Sequence, residues 1–466
     1  MSAFQKNMTE GSVTKHLIRF SLPFLAANLL QAFYNMADML IVGWYGGPVG
    51  AAAVGSGGTV TILLINMISG LAVGGTVMIA QYIGAKREDD VAKTVGTMFT
   101  LYAVAAVFFT AVMLISGRSI LKLLNTPSES FDETLGYLNI CMGGTVFVFG
   151  YNAVSAVLRG MGDSRHPLIF VLISTVANII LDIIFVGPLD MGAAGAAWAT
   201  IIAQALSFVL AVAFLRRNNF IFDFRPRSFR IDKNIALQLL KIGLPTSIQG
   251  TLVSFSFMWL TRLANDIAGI VGQTSISIAG KVNSVAILPA FAMQASVSSM
   301  AGQNLGAGKP ERAKKTMFVG MGLAFAFSSV VFILVNALSE QVVTLFIGSG
   351  NTELPAEVVA RCISEGSRYI RCISYDYLIA SLHFCINGLA ISAGQTMFSL
   401  LNASASSLLL RVPAAWILGI RLGWGLPGVG FAAPIAGLGS LTIGIIYLIS
   451  GRWRVSSIKD IRAVTN

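Results

Sequence analysis

Residues 18–43 of the chain read IRFSLPFLAANLLQAFYNMADMLIVG, a stretch long and apolar enough to cross a bilayer. It nevertheless contains Asp38, and Gln31, Tyr34 and Asn35 precede that acid at spacings that fall on the same helical face. A carboxylate at bilayer depth costs roughly 2.5 kcal/mol or more, so it is usually retained for a function. We therefore predict that Asp38 binds and releases a coupling cation.

Pro23 lies in the same stretch, about four helical turns before Asp38. Because its nitrogen carries no hydrogen, it cannot donate to the carbonyl of Arg19, and a helix bends more easily at such a position. We predict a hinge at Pro23 that responds to occupancy at Asp38.

The composition indicates a polytopic membrane protein. Of 466 residues, 55% are hydrophobic and 11% are charged, whereas soluble domains carry about 25% charged residues. The cysteines and histidines show no metal-ligand spacing, and no nucleophile–base set is evident, so we expect neither an enzyme nor a cofactor. The cysteines are interpreted as small buried hydrophobic residues: Cys141, Cys362, Cys372 and Cys385.

The net charge of +11 is distributed in a way that argues against nucleic-acid binding. Lysine and arginine concentrate in alternate loops, on the side that would hold the N-terminus, as the positive-inside rule describes. This pattern predicts that both termini are cytoplasmic, and we expect the protein in the inner (plasma) membrane.

We predict twelve transmembrane helices in two pseudo-symmetric six-helix lobes that enclose a central cleft. The expected divisions are an N-terminal lobe at 1–217, a cytoplasmic linker at 218–233 and a C-terminal lobe at 234–466. The linker is basic, so it could contact anionic lipid, although a plain solvated loop is an equal alternative.

The two halves of the sequence repeat each other without a gap over their first parts. Four pairs of matching residues are each separated by 222 positions: Pro23 with Pro245, Gln81 with Gln303, Gly84 with Gly306, and Lys93 with Lys315. Six spans separate the copies, so both begin on the same side of the membrane. The repeat is therefore parallel, about an axis along the membrane normal.

Polar residues recur at helical spacing within the first lobe. Asn178 and Asp182 are four residues apart on the fifth span, Thr200 and Gln204 on the sixth, and Asn152 lies on the fourth. Such residues often only hold helices together, and this alternative is favoured for Asn152 and Thr200. It does not account for the two acids, because no lysine or arginine lies near them in these spans.

Burial and a neighbouring acid both favour the protonated form of a carboxyl group, so Asp38 and Asp182 could share a proton. Alternatively, these carboxylates, with the side-chain oxygens of Asn178 and Thr200, could bind Na⁺. Entry of either cation down the membrane potential yields about 2.3 kcal/mol per charge per 100 mV.

The second lobe has a different set of polar residues. Asp376 and His383 share a face of the tenth span, and we expect Lys281 to form a structural ion pair with Asp376. Arg411 and Gln249 are candidates for lining the cleft. Many methionines and phenylalanines would suit bulky apolar cations as substrates.

The chain resembles the multidrug and toxic compound extrusion (MATE) family, in its DinF-like prokaryotic branch. The resemblance covers nearly the whole chain and is carried by six motifs besides Pro23: QAFYNMADMLIVGWYG (31–46), AQYIGAKREDD (80–90), LRGMGDSRHP (158–167), NIILDIIFV (178–186), GAAGAAWAT (192–200) and SMAGQNLGAGKPERAKK (299–315).

The resemblance implies antiport of cationic or amphipathic small molecules against Na⁺ or H⁺. It also implies that the cation site of the DinF-like branch falls on Asp38, Asn178, Asp182 and Thr200. Other branches carry an acid in the seventh helix, which this sequence lacks, and Asp376 lies about one turn before their tenth-helix acid.

We therefore expect a monomeric secondary antiporter of organic cations that works by alternating access. A flippase for lipid or lipid-linked oligosaccharide is the alternative, and it would favour a cationic cleft. A channel is disfavoured because the acids lie in one lobe, and an ATP-driven pump because no nucleotide motif is present.

Overall fold

The computed structural model describes residues 5–124, 126–218, 220–348 and 355–459, and it is all α-helical there. The α-helices are α1 (Val13–Tyr45), α2 (Gly47–Gly84), α3 (Glu88–Leu123), α4 (Phe131–Gly143), α5 (Thr145–Gly160), α6 (Arg165–Val186), α7 (Gly192–Arg217), α8 (Lys233–Ala286), α9 (Leu288–Gly306), α10 (Pro310–Gly348), α11 (Ala356–Ser392), α12 (Thr396–Ser404), α13 (Val412–Trp416) and α14 (Gly425–Ile449). Two π-helical segments, Ala405–Arg411 and Ile417–Arg421, join α12 to α13 and continue it.

Nine helical runs in the described parts of the chain are by themselves long and apolar enough to cross a membrane. Helices α4 and α5 meet at a 49° bend and together form one span. The run Lys233–Gly306 has 74 residues, about 110 Å of helix, which is far more than one bilayer requires. Gly269 divides it, because its backbone (φ 56°, ψ −132°) is not helical. Helices α12 and α13 form one span through their π-helical segments, so the predicted all-α membrane fold is confirmed.

The backbone repeats as the sequence does. Gly47 begins α2 with φ +66°, and Gly269, 222 positions later, has φ +56° at the equivalent break. Likewise Lys86 (φ 57°) and Gly308 (φ +72°) occupy the same turn in the two copies, before α3 and α10. The left-handed region is rarely adopted by residues with a side chain, so its recurrence at matched positions indicates one turn geometry used twice.

Both ends of the described chain lie on one face of the molecule, where the two lobes meet. Residues 5–12 contact the ends of α5 and α9, and residues 456–458 contact the end of α2. We call this side the terminal face. Here Gly84 and Gly306 bring α2 and α9 into backbone contact.

The connection between the lobes is packed against the first lobe. Phe220, Phe222 and Phe224 are at most 9% exposed and belong to the apolar core of that lobe, with Phe99 of α3. The Thr97 hydroxyl also donates to the carbonyl of Arg230 (3.2 Å). The alternative of a plain solvated loop is therefore wrong, because three phenylalanine side chains of the segment are buried in the first lobe. Its basic side chains remain exposed.

Helix α1 runs without interruption through Pro23. The helix packs on α6 in its own lobe and also on α9 and α10 of the other. It is thus in contact with both lobes at once, and the hinge at Pro23 stays a prediction.

Candidate cation site

The site forms where α1, α6 and α7 pack together within the first lobe. Asp38 on α1 is 6% exposed, and Asn178 and Asp182 on α6 are fully buried. Because Asn178 and Asp182 are one helical turn apart, both side chains point toward α1. Asp38 and Asp182 lie within hydrogen-bonding reach of each other, and we call them the acid pair.

Asn178 joins the two acids through its amide. With its nitrogen turned toward them, the orientation that satisfies the neighbouring groups, it donates to Asp38 Oδ1 at 2.8 Å and to Asp182 Oδ2 at 3.1 Å. In the opposite orientation the amide oxygen faces the same two carboxyl groups. That orientation would bring acceptor oxygens together without a donor, so the first orientation is the favoured one.

A short chain of hydroxyl groups approaches the acid pair from the side. The Tyr34 hydroxyl donates to Thr200 Oγ1 at 3.1 Å, and the Thr200 hydroxyl donates to Asp38 Oδ2 at 3.4 Å. The structure thus brings Asp38, Asn178, Asp182 and Thr200 together with Tyr34. Their roles in cation binding stay a prediction.

The electrostatics of the acid pair favour a cation. Among the described residues, no lysine or arginine forms an ion pair with either acid. Asp182 Oδ1 is buried and has no hydrogen-bond partner within that part of the chain. Two buried carboxylates without a basic partner are costly when both are ionised. The arrangement can therefore hold one positive charge, either a shared proton or a small cation bound by oxygen atoms.

Two neighbours of the acid pair escaped the sequence analysis. Tyr137 and Cys141 of α4 lie beside each other and close enough to Asp38 to interact with it electrostatically. Cys141 was predicted to be a small buried hydrophobic residue, and it is indeed buried. Its position one turn after Tyr137, on the same face, was the available signal.

The remaining polar residues of the first lobe lie outside the network. Gln31 and Asn35 are exposed on α1, and Gln204 is half-buried on α7. The Asn152 amide donates to the Val148 carbonyl of its own helix at 2.8 Å. Their contribution to a substrate cleft stays a prediction.

The predicted ion pair of Lys281 with Asp376 is wrong. Lys281 is exposed, and its ammonium lies 5.4 Å from the centre of the Phe346 ring. Asp376 instead interacts with the charge of Arg411, whose guanidinium lies 5.0 Å from the ring centre of Phe257. The sequence placed Lys281 mid-span but did not fix the direction of its side chain.

Two further residues of the second lobe are placed by the structure. The His383 ring lies 3.4 Å from the Ser440 hydroxyl. The Gln249 side-chain oxygen is buried without a hydrogen-bond partner in the described residues. Neither contacts the acid pair, so the second lobe holds a separate polar set.

Comparison with known proteins places these features in a wider group. The family model MatE matches residues 23–184 and 245–417, one copy in each half of the chain. The chain is 27% identical over 451 residues to the probable multidrug resistance protein YpnP of Bacillus subtilis, covering 96% of this chain and 97% of that protein. It is 28% identical to the probable multidrug resistance protein YoeA of the same organism, covering 92% of each.

A solved structure shares the fold. The outward-facing conformation of a multidrug resistance MATE family transporter of the MOP superfamily superposes with a TM-score of 0.88 at 24% identity. The match covers 99% of this chain and 100% of that one.

Proposed function

The chain belongs to the MatE family of multidrug efflux transporters, and on that premise we propose that it is a secondary antiporter. It exports cationic or amphipathic small molecules in exchange for H⁺ or Na⁺ by alternating access. The observation that carries this proposal is the acid pair, two buried carboxyl groups bridged by Asn178 and without a basic partner among the described residues.

The proposed coupling begins with neutralisation of charge. A cation that enters the site offsets the repulsion within the acid pair and reduces the cost of keeping it away from water. Asp38 is on α1, whereas Asp182 and Asn178 are on α6. Occupancy therefore changes the free energy of packing α1 against α6, and it does so at one end of a helix that also contacts the second lobe.

Helix α1 is the proposed route from the cation site to the cleft. Gln31 and Asn35 are exposed on the face of α1 that carries Asp38. A bend at Pro23 in response to the charge of the acid pair would move these side chains relative to the second lobe. Release of an organic cation from this face and uptake of the coupling cation would then be linked.

The membrane orientation belongs to the same proposal. The terminal face is taken as the cytoplasmic side of the inner (plasma) membrane, because the basic connection between the lobes and both ends of the described chain lie there. The contacts between the lobes at this face then correspond to a state closed toward the cytoplasm. We propose that the functional unit is a monomer.

The test replaces each acid of the pair in turn. Asp38→Asn and Asp182→Asn are expected to abolish efflux of a fluorescent organic cation from proteoliposomes driven by an imposed H⁺ or Na⁺ gradient. The reason is that the asparagine amide is neutral, so it can neither take up and release a proton nor supply the negative charge that holds Na⁺. Membrane insertion and thermal stability should persist, because asparagine keeps the shape of the side chain.

The matched control is Asp223→Asn in the connection between the lobes. The Ser228 hydroxyl, which bonds to this exposed carboxylate, lowers the pKa of Asp223, so the control also removes a negative charge. It should leave efflux at the wild-type rate. Gradient-driven efflux at the wild-type rate in Asp38→Asn would contradict the proposal.

A further inference from the structure

Two buried glutamines occupy equivalent positions at the terminal face. Gln81 is in the last turn of α2 and Gln303 in the last turn of α9, 222 positions apart. Both are fully buried. A glutamine side chain carries a donor and an acceptor, so it can bind two different partners at once. We refer to Gln81 and Gln303 as the glutamine pair.

Gln81 of the first lobe binds only second-lobe partners in the described structure. Its oxygen accepts from the hydroxyls of Ser456 (3.1 Å) and Ser457 (2.8 Å) and from the backbone N–H of Ile458 (3.3 Å). Its nitrogen donates to the carbonyl of Ser392 at the end of α11 (2.5 Å). One buried side chain therefore fastens the C-terminal segment and a helix end of the opposite lobe.

Gln303 of the second lobe repeats this arrangement toward the first. Its oxygen accepts from the backbone N–H of Met8 (3.1 Å), and its nitrogen donates to the carbonyl of Gly160 at the end of α5 (3.3 Å). Each glutamine thus binds one chain-terminal segment through its oxygen and one helix end through its nitrogen.

The N-terminal segment has additional contacts that span both lobes. Arg312 of α10 donates to the carbonyls of Glu10 (2.8 Å) and Gly11 (3.0 Å). On the other side, the backbone N–H of Lys6 donates to the Met161 carbonyl (3.1 Å). Separation of the lobes at this face would break one of these sets of bonds.

The helix ends that carry the glutamine pair are in direct backbone contact. A Cβ atom added at Gly84 would lie 1.9 Å from the Gln303 carbonyl oxygen, and one added at Gly306 would lie 2.0 Å from that of Gln81. This reciprocal contact holds α2 and α9 at the distance at which each glutamine side chain bonds to the opposite lobe. The hydrogen bonds of the glutamine pair therefore form only when the lobes are closed at this face.

We propose that the glutamine pair, with the segments 5–12 and 456–458, forms the closing contact of the terminal face and must break in each transport cycle. This inference rests on the proposed function in one respect, namely that the lobes alternate between closed and open states. Gln81 and Gln303 are then gating residues, which set the population of the closed state without contacting cation or substrate.

The first test measures the opening of the terminal face directly. Spin labels are placed on cysteines introduced at the exposed positions Asp89 (α3) and Lys315 (α10), after the four native cysteines are replaced. The double variant Gln81→Ala/Gln303→Ala is expected to raise the population with a longer distance between labels by about tenfold or more, because several buried hydrogen bonds are lost. An unchanged distance distribution would overturn the inference.

The matched control is Gln395→Ala. The Gln395 nitrogen donates to the Arg452 carbonyl (2.8 Å), so it holds the chain just before the segment 456–458, but within one lobe. This variant should keep the wild-type distance distribution. An equal increase in the longer distance in Gln395→Ala would mean that docking of the segment, rather than the inter-lobe bond, closes the face, and it would also overturn the inference.

A second test does not depend on destabilising the protein. The double variant Gln81→Cys/Ser457→Cys, in the same background without native cysteines, replaces two side chains that bond across the lobes by thiols, and the cross-linked fraction is measured before each assay. Oxidation is expected to stop efflux in proteoliposomes, and reduction is expected to restore it. Full efflux by the oxidised, cross-linked protein would show that this contact need not break.

The two proposals fail in distinguishable ways. The distance measurement requires neither gradient nor substrate. If wild-type protein shows no gradient-driven efflux but the glutamine variant still shifts the distance distribution, the closing contact stands and the antiport proposal falls. If efflux is normal in the oxidised, cross-linked variant, the antiport proposal stands and the closing contact falls.

Discussion

At the scale of single residues, the candidate site depends on the side-chain amide of Asn178, which bridges the two acids. Asn178 donates to both carboxyl groups of the acid pair when its nitrogen faces them. Rotation of the amide by half a turn presents an oxygen to the same position, where it could bind a cation. Under the proposed function, this one side chain would serve a state without a cation and a state with one.

This function of Asn178 yields a prediction for binding. Asn178→Ala is expected to change the apparent affinity for the coupling cation about tenfold or more. The affinity for H⁺ should rise, because the hydrogen bonds that stabilise the ionised carboxyl groups are lost, whereas the affinity for Na⁺ should fall, because a ligand oxygen is lost. The measurement is the cation concentration that gives half-maximal efflux. The control is Asn152→Ala, which loses only a bond to its own helix and should leave this concentration unchanged. Equal values in Asn178→Ala and wild type would contradict the assignment.

At this scale, the sequence predicted the members of the network but not all of its surroundings. The spacing of Asn178 and Asp182, and the cost of acids in apolar spans, were sufficient to expect a shared site with Asp38. Tyr137 and Cys141 carry no charge, so their spacing of one helical turn was the only signal that marked them. The direction of Lys281 depends on how the second lobe packs, which a periodic pattern does not specify.

At the scale of the element, α1 combines an intact helix with a missing hydrogen bond. Pro23 lies in a helix that is continuous from Val13 to Tyr45. Pro23→Ala restores the donor and should make the helix stiffer and more stable. We expect this variant to remain folded while its efflux rate falls several-fold.

That prediction is checked by comparing efflux with thermal stability in the same preparations. Loss of both properties in Pro23→Ala would indicate misfolding. Undiminished efflux would exclude a hinge. Pro434→Ala serves as a control, since it also replaces a proline inside a helix, α14, but one distant from the acid pair in the sequence.

The connection between the lobes gives a prediction for stability. Phe222 is 3% exposed and packs against Phe99, so Phe222→Ala is expected to cost about 3–5 kcal/mol by removing a buried aromatic ring. The measurement is the unfolding temperature in detergent. Phe229→Ala is the control, because Phe229 is 37% exposed and should cost far less. An equal decrease for the two variants would contradict the packing.

Helix count and helix type were predictable, whereas irregular elements were not. Apolar length indicated the spans, but the π-helical segments around Arg411 have the same apolar composition as an α-helix. The packed connection does carry a signal in its sequence. Phenylalanines alternate at 220, 222 and 224, a spacing that places all three side chains on one side of an extended chain.

At the scale of the whole molecule, the closeness of the lobes at the terminal face can be tested with a single methyl group. Gly306→Ala would place that methyl against the carbonyl of Gln81, so α2 and α9 must separate. We expect a shift toward the open state in the spin-label distances and a lower efflux rate. Gly322→Ala is the control, since a Cβ there meets nothing within 4 Å. Equal spin-label distances and equal efflux rates in the two variants would show that the contact is dispensable.

The two-fold organisation was predictable because the repeat extends to individual residues. The spacing of 222 positions anticipated that Gln81 and Gln303 are equivalent. The partners of the glutamines could not be anticipated, because the segments 5–12 and 456–458 have no counterpart in each other and acquire their role only through the folded arrangement.

The buried phenylalanines of the connection have a consequence for biosynthesis. The ribosome delivers residues 220–224 after the first six spans and before the remaining six. Their binding surface on α3 is therefore already made when they emerge, and the aromatic rings can be covered at once. A nascent first lobe can therefore bury these rings before the second lobe is synthesised.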